Sequence, residues 1–408
     1  MFTLRVAFRN ILRNRRRSAL TLLAVTTGTV AMILFGGFIY QSFWGLREST
    51  IRSQYAHLQV YKKGYQARGA SNPLAFAIPD APKVFEAIQD AIGADVEVAT
   101  ARLEFSALIG NEDRSVICLG RAVDPDKEAQ INTFLTIVEG INVSARVPDG
   151  AILGRGLADG LGAKLGDRLT LMSTTKGGSL NAVDVTVAGI FVSGAKEYDD
   201  VAITVPLKLG STLLATEDPL KVVVLLKDTE RTDAARAKLE AAFSAKGLDL
   251  EVVSWSDLAL FYHRVVGLYT NIFTFVRVVI AIIVVFSIAN TLMMSVMERV
   301  REIGTIRALG TKRRGVISLF LLEGLLLGIF GGVLGIVVGI IAAKLISALG
   351  IQVPPPPGQS KGYTLEIFVV PVVIGQTFAL CVITSLLSAM VPARKASRMS
   401  IAEALRYD

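Results

Sequence analysis

Residues 297–316, MERVREIGTIRALGTKRRGV, hold the densest set of side chains in the chain that could do chemical or mechanical work. Glu298, Arg299, Arg301 and Glu302 open the segment with charges of both signs. Ile303, Ile306 and Leu309 recur at helical spacing and predict one apolar side, and Gly310 breaks the helix before Lys312, Arg313 and Arg314. A short amphipathic helix of this kind suits docking into a groove on a partner. Basic residues placed only by a topological charge bias would give the same composition, so the pattern alone leaves both readings open. Elsewhere the chemistry is sparse. His57 and His263 are the only histidines, Cys118 and Cys381 the only cysteines, and no Ser/His/Asp set or close carboxylate pair stands out. No catalytic residue, no metal ligand and no enzymatic activity of this chain alone is expected. The glycine cluster LGRGLADGLGAKLGD (153–167) lacks the Gly-Lys-Ser/Thr ending of a phosphate-binding loop, and predicts a short helix capped by the Gly166-Asp167 turn.

The elements that carry these residues are membrane helices. Of 408 residues, 52% are hydrophobic and 19% charged, and the apolar residues collect in blocks at 18–43, 278–296, 316–349 and 367–391. Each is long enough to span a bilayer, and the first outruns a signal-peptide core of about 7–15 residues, with no small-x-small cleavage pattern after it. It is read as a retained helix. The fourth block is closed by Pro392. Residues 1–17 place Phe2, Val6, Ile11 and Leu12 against Arg5, Arg9 and Arg13, which predicts an amphipathic basic helix on the inner leaflet, the alternative being a frayed basic tail.

Orientation follows from Lys/Arg placement in the short flanks. Residues 1–17, the 297–315 loop and the 392–408 tail together carry sixteen basic residues that flank the spans, whereas the 350–365 loop carries only Lys361. Both termini and the 297–315 loop are therefore expected in the cytoplasm, and residues 44–266 outside it. In the third block, Gly324, Gly328, Gly331, Gly332, Gly335 and Gly339 fall largely at four-residue steps, a pattern that lets another helix approach closely, though it does not say which. Asn290 and Glu323 are the polar groups within the spans. Glu323 is read as an ion pair with nearby arginines, or else as a proton or substrate site.

The outer segment differs in character. Residues 43–266 hold 24 Lys+Arg against 29 Asp+Glu. The basic excess therefore belongs to the membrane flanks, and a nucleic-acid surface is excluded. Cys118 lies in this segment and Cys381 in a span, so they cannot pair, and the segment must fold by burial alone. A strand near His57, a helix over 79–92 and a strand over 95–100 are matched later by strand-like 221–226, a helix over 232–245 and a strand over 248–255. These two βαβ units, at 50–102 and 216–256, enclose a β-rich insert at 103–215. The predicted fold class is thus membrane α-helical, with four transmembrane helices, plus a large extracytoplasmic α+β domain.

The Glu-Arg-x-Arg-Glu-Ile-Gly-x-x-Arg-Ala-Leu-Gly run at 298–310, followed by a glycine-rich helix, resembles the signature of FtsX-like, MacB-type ABC-transporter permeases. The tail from Pro392 to Ala396 with residues 401–406 is similar to that family's ending, and the one-plus-three helix layout matches along the whole chain. The resemblance implies a permease of the bacterial inner membrane, closest in layout to the lipoprotein-releasing type. Its loop would contact a separate ATPase through Glu298, Arg299, Glu302, Ile303, Arg307 and Gly310. ATP and magnesium would be bound by that partner and no cofactor by this chain. A second permease subunit, membrane lipid and a lipoprotein or periplasmic carrier or adaptor are the further partners implied. Lipoprotein release or substrate extrusion is the expected activity; drug or peptide efflux, or mechanotransmission to an extracytoplasmic enzyme, are the alternatives. The proline run in the 350–365 loop reads as a stiff spacer.

Overall fold

The computed structural model describes residues 2–13, 15–69, 71–111, 113–193, 195–354 and 362–406. The proline run at 355–357, Gly358 and Lys361 lie outside the described residues, as does the side chain of Phe2. Two units separate: Met1–Trp44 with Val265–Gln352 and Thr364–Asp408, and Gly45–Arg264 with Val353–Tyr363.

In the first unit the basic start folds as the helix Phe2–Arg13. Four helices among the described residues are long and apolar enough to cross a membrane: Arg15–Thr50, Leu260–Glu298, Arg313–Ala348 and Pro371–Arg398. The second is one continuous helix of 39 residues, so its aromatic-rich first half and its apolar second half form a single rod. The fourth does not close at Pro392. It passes through that residue to Arg398. A proline here forfeits the hydrogen bond to the carbonyl four residues earlier. The alanines Ala389, Ala393 and Ala396, all fully buried, keep the helix packed across the gap.

The glycines of the third span divide into two seams. A Cβ added at Gly324 would meet Ala389 Cβ at 2.7 Å, at Gly328 Ser385 Cβ at 2.7 Å, and at Gly332 the Phe378 ring at 3.0 Å. That seam faces the fourth span. At Gly331 it would meet Val25 Cγ1 at 2.6 Å, at Gly335 Thr29 Cβ at 2.5 Å, and at Gly339 Ile33 Cδ1 at 3.2 Å. This seam faces the first span. Close approach, with no Cβ between the backbones, is how both neighbours reach the third helix without a solvent-driven hydrophobic term.

The second unit is built on one mixed sheet. Its strands are β1 (Leu58–Lys62), β2 (Val96–Gly110), β3 (Ser115–Val123), β4 (Thr136–Gly140), β5 (Gly150–Gly154), β6 (Arg168–Thr174), β7 (Leu180–Val192), β8 (Ala202–Pro206), β9 (Lys221–Leu226) and β10 (Leu250–Ser254). They run in the order β10-β1-β9-β2-β3-β8-β5-β7-β4, with β6 paired to β2 and β7. The two βαβ units interleave. β9 lies between β1 and β2, and β1 between β9 and β10, all neighbouring pairs antiparallel. This is the split βαβ arrangement. The helices Ala81–Ile92 and Thr232–Ala245 cover it, burying Val84, Ile88, Leu239 and Phe243 against Val60, Val222 and Val224. β2 outruns the first unit's share and carries the chain into the β-rich insert. In the glycine cluster, the short helix Arg155–Leu161 ends at Gly162, with φ +69°, rather than at Gly166, whose φ of +84° serves the turn into β6.

Where the membrane helix gives way to the sheet, the last turn is the five-residue π-helix Ile51–Tyr55. Its end carbonyls are taken by two buried arginines. Arg102 donates to Gln54 O at 3.0 Å and forks onto Glu128 at 2.6 and 3.0 Å, while Arg121 donates to Gln54 O at 3.2 Å. Cations at a helix C-terminus oppose its negative end, and the Arg–carboxylate fork fixes their geometry.

Candidate functional site: the loop joining the second and third spans

The second span stops at Glu298 because Arg299 leaves helical geometry, with φ −113° and ψ 20°. A nine-residue helix, Val300–Ala308, follows. Gly310 then turns the chain with φ +97°, a left-handed conformation that favours glycine, and the third span starts at Arg313. One side of the short helix is locked down. Val300 and Ile303 are buried, Ile303 packing among Val296, Val316, Phe320, Ala393 and Ala396. Arg307 donates to Met399 O, and the tail helix Ile401–Arg406 packs alongside.

The charged residues expected to meet a partner are engaged within the unit. Arg299 is buried. Its Nε donates to Glu302 Oε2 at 2.9 Å and its Nη1 to Glu323 Oε1 at 3.0 Å. Glu302 also takes Arg13 Nη2 at 2.7 Å, and Glu298 pairs with Arg17 at 2.5 Å. Burial pushes the Glu302 carboxyl up, but the Arg299 and Arg13 guanidiniums outweigh it and hold the group below the usual carboxylate value. Glu323 is thus an ion-paired residue, with Asn10 as a further donor at 2.6 Å.

Ile303, Ile306 and Leu309 do not share one side. Ile303 points inward, whereas Ile306 is 38% and Leu309 83% exposed, beside exposed Arg301 and Thr305. Three-residue steps each fall 60° short of a full helical turn, so Leu309 has rotated well away from Ile303. The free surface of the loop helix therefore includes Arg301, Thr305, Ile306 and Leu309, with Lys312, Arg313 and Arg314 exposed beyond the turn. Neither Arg301 nor Leu309 stands among the six residues carried over by resemblance, although the drift in spacing was available to show it.

The Asn290 side chain makes no hydrogen bond among the described residues and lies exposed on the second span. That span buries 11% of its most apolar window inside the chain, against 33–44% for the other three.

Among the described residues, four helices long and apolar enough to cross a membrane, a large sheet domain inserted after the first, and a short loop helix between the second and third make this a multi-span membrane protein with an inserted domain. Two family descriptions match it: "MacB-like periplasmic core domain" over residues 18–242 and "FtsX-like permease C-terminal" over residues 274–401. The chain belongs to the FtsX-like, MacB-type family of ABC transporter permeases. It is 24% identical over 84% of its length to an uncharacterized ABC transporter permease of Methanocaldococcus jannaschii, covering 84% of that protein. It is 26% identical over 63% of its length to the lipoprotein-releasing system transmembrane protein LolC of Neisseria meningitidis, and 29% identical over 52% to the macrolide export ATP-binding/permease protein MacB of Brucella abortus. It spans 65% of that LolC and 31% of that MacB. Among solved structures, the extracellular domain of the transporter YknZ from Gram-positive bacteria aligns over 48% of this chain and 99% of that one, at 14% identity and a TM-score of 0.35.

Proposed function

We propose that this chain is the permease subunit of an ATP-binding-cassette system in which a separate ATPase pushes on the 297–315 loop and the sheet domain moves in response. The loop and both termini are cytoplasmic in this reading, the sheet domain extracytoplasmic, and the membrane the bacterial inner membrane. The observation that carries it is the two-sided loop helix. Val300, Ile303 and the buried Arg299 fasten it to the spans, so a load applied at Arg301, Ile306 and Leu309 is delivered to the bundle rather than absorbed by a slack loop. Of the six residues carried over by resemblance, Glu298, Arg299, Glu302, Ile303 and Arg307 act as the fastening and Gly310 as the turn; Ile306 and Leu309, outside that set, are the contact. ATP and magnesium belong to the partner.

A second permease subunit fits the exposed face of the second span, where an unpartnered amide at membrane depth favours a protein neighbour over lipid. Release of lipoproteins is the cargo reading supported by the likeness to LolC, and extrusion the one supported by the likeness to MacB. Leu309→Asp tests the docking claim. In a pull-down from membranes containing unchanged amounts of permease, the ATPase is expected to be lost from the variant. Retention at the parent level removes the assignment.

A further inference from the structure

Five side chains at the loop close a ring that begins and ends on the N-terminal helix. Arg13 donates to Glu302 at 2.7 and 3.0 Å; Glu302 takes Arg299 at 2.9 Å; Arg299 donates to Glu323 at 3.0 Å; and Glu323 takes Asn10 at 2.6 Å. The helix Phe2–Arg13 thus holds the loop helix through Arg13 and the third span through Asn10, three residues away, one at each end of the charge relay. A second link runs beside it, from Arg17 at the start of the first span to Glu298 at the end of the second. Arg299 and Glu323 are 5% and 4% exposed at their side chains, Arg13 and Glu302 54% and 45%, so the ring has a buried half and a wet half.

A charge bias that merely kept arginines on one side of a bilayer would not pair them in this way. It would leave them in water or among headgroups, as Arg5 and Arg9 are left exposed here. Nor is stability an adequate reason, because exposed ion pairs such as Arg13–Glu302 add little. What a closed network fixes is position. Arg299 is held by two carboxylates at once, which fixes its guanidinium plane, and its buried pair with Glu323 cannot be parted without stranding a charge. The loop helix has no side-chain cap at its start, where Arg299 sits, so the ring is what orients its first turn. On the opposite surface of the N-terminal helix Leu12 is 50% exposed and Phe8 45%, the Phe8 ring lying 6.1 Å from that of Phe330 on the third span.

We propose that the N-terminal helix is a splint of the coupling loop: Arg13 ties it to Glu302 of the loop helix and Asn10 to Glu323 of the third span, while Arg17 at the start of the first span holds Glu298, so that helix and loop move together and pass the loop's displacement into the first span. This rests on the coupling reading above and adds to it a positioning role for three residues outside the loop. The ring leaves the docking surface at Ile306 and Leu309 untouched, so the two ideas part experimentally.

The test uses the full permease with its ATPase in nanodiscs, as Arg13→Ala, Arg17→Glu and the Arg17→Glu/Glu298→Arg exchange. Two quantities are read. The first is hydrogen exchange of residues 2–13 and 300–308 in the permease alone, which needs no ATPase. Both single variants are expected to raise exchange in both segments together, and the charge exchange to restore protection. The second is the ATP-dependent movement of a label on the sheet domain. It should fall by at least about fivefold in the single variants, the lower end of typical coupling between sites, with ATPase association kept and the movement recovered in the charge exchange. Loosening of residues 2–13 without residues 300–308, or failure of the exchange to restore protection, overturns the splint. Loss of association in the parent protein instead overturns the coupling reading and leaves the exchange result to decide the splint by itself.

Discussion

Replacing Gly335 with alanine should part the first and third spans. The new Cβ would stand 2.5 Å from Thr29 Cβ, 2.7 Å from Thr29 Cγ2 and 3.1 Å from the carbonyl oxygen of Thr26. Carbon atoms rest at about 3.5–4.0 Å, so the overlap is about 1 Å. Thr29 cannot swing aside, because its branched Cβ is fixed to the first span's backbone and its hydroxyl is bonded to Val25 O at 2.9 Å. The helices must separate, which costs about 1–3 kcal/mol by the measure of overpacked interiors. Gly339→Ala is the graded control. Its Cβ would meet the flexible end of Ile33 at 3.2 Å, and the cost should stay below about 1 kcal/mol. Gly375→Ala, on the fourth span with nothing within 4 Å, should cost nothing. The assay is steric trapping of the chain in bicelles, with the trap on the first span. A Gly335→Ala variant as stable as Gly375→Ala, or a Gly339→Ala variant worse than both, would refute the seam.

The sheet domain gives two further expectations. Arg102→Ala leaves the buried Glu128 carboxylate only Asn132 at 2.8 Å and Arg121 at 3.9 Å and should destabilise the domain by about 3 kcal/mol, the low end for a broken buried pair, while Arg102→Met with Glu128→Leu should cost less, both read by urea unfolding at Trp255 with Trp44 replaced by Phe; a single variant within about 1 kcal/mol of the parent contradicts the buried-pair argument. Burial, helped by Arg52 and Arg47 and opposed by Asp228, lowers His57 from 6.5 to about 4, with Leu226 N donating to its Nδ1 at 2.9 Å. The unfolded chain then binds a proton that the folded one refuses. Stability is therefore whole above pH 6.5 and falls as pH drops toward 4, by about 3 kcal/mol in total. His57→Gln should flatten that slope in urea titrations from pH 7 to 4, and an unchanged slope would assign the acid sensitivity elsewhere.

Which parts of this were legible in advance follows from periodicity. Spans announce themselves because twenty apolar residues have few other fates, yet apolarity alone starts the second at 278, although its helix begins at Leu260 and runs through the polar and aromatic residues before the block. The four-residue glycine spacing signalled close packing but not two partners. Gly331 and Gly332 are a single residue apart, about 100° around the helix, and so belong to different seams. In the sheet domain, β1, β2, β9 and β10 and their helices could be read from alternating and helical patterns, but their interleaving depends on pairings 119 or more residues apart in the chain, as between Arg102 of β2 and Lys221 of β9. The short strands β4 and β5, at glycine-bounded turns, gave no usable alternation. At the loop, residue types pointed to charge and an apolar edge. The ring through Asn10 and Arg13 was invisible because two of its members lie at the start of the chain and the other three 289 to 313 residues later.

The central claim is that energy enters at the loop and work is done by the sheet domain of a paired permease. It is tested most directly by spin labels at position 180, where Leu180 is 74% exposed, in both copies of a permease with Cys118 and Cys381 replaced, reconstituted with its ATPase. ATP should shift the distance between the two labels, and Leu309→Asp should abolish the shift. A distance that ATP leaves unchanged in the parent complex, or that still responds in Leu309→Asp, would contradict the account.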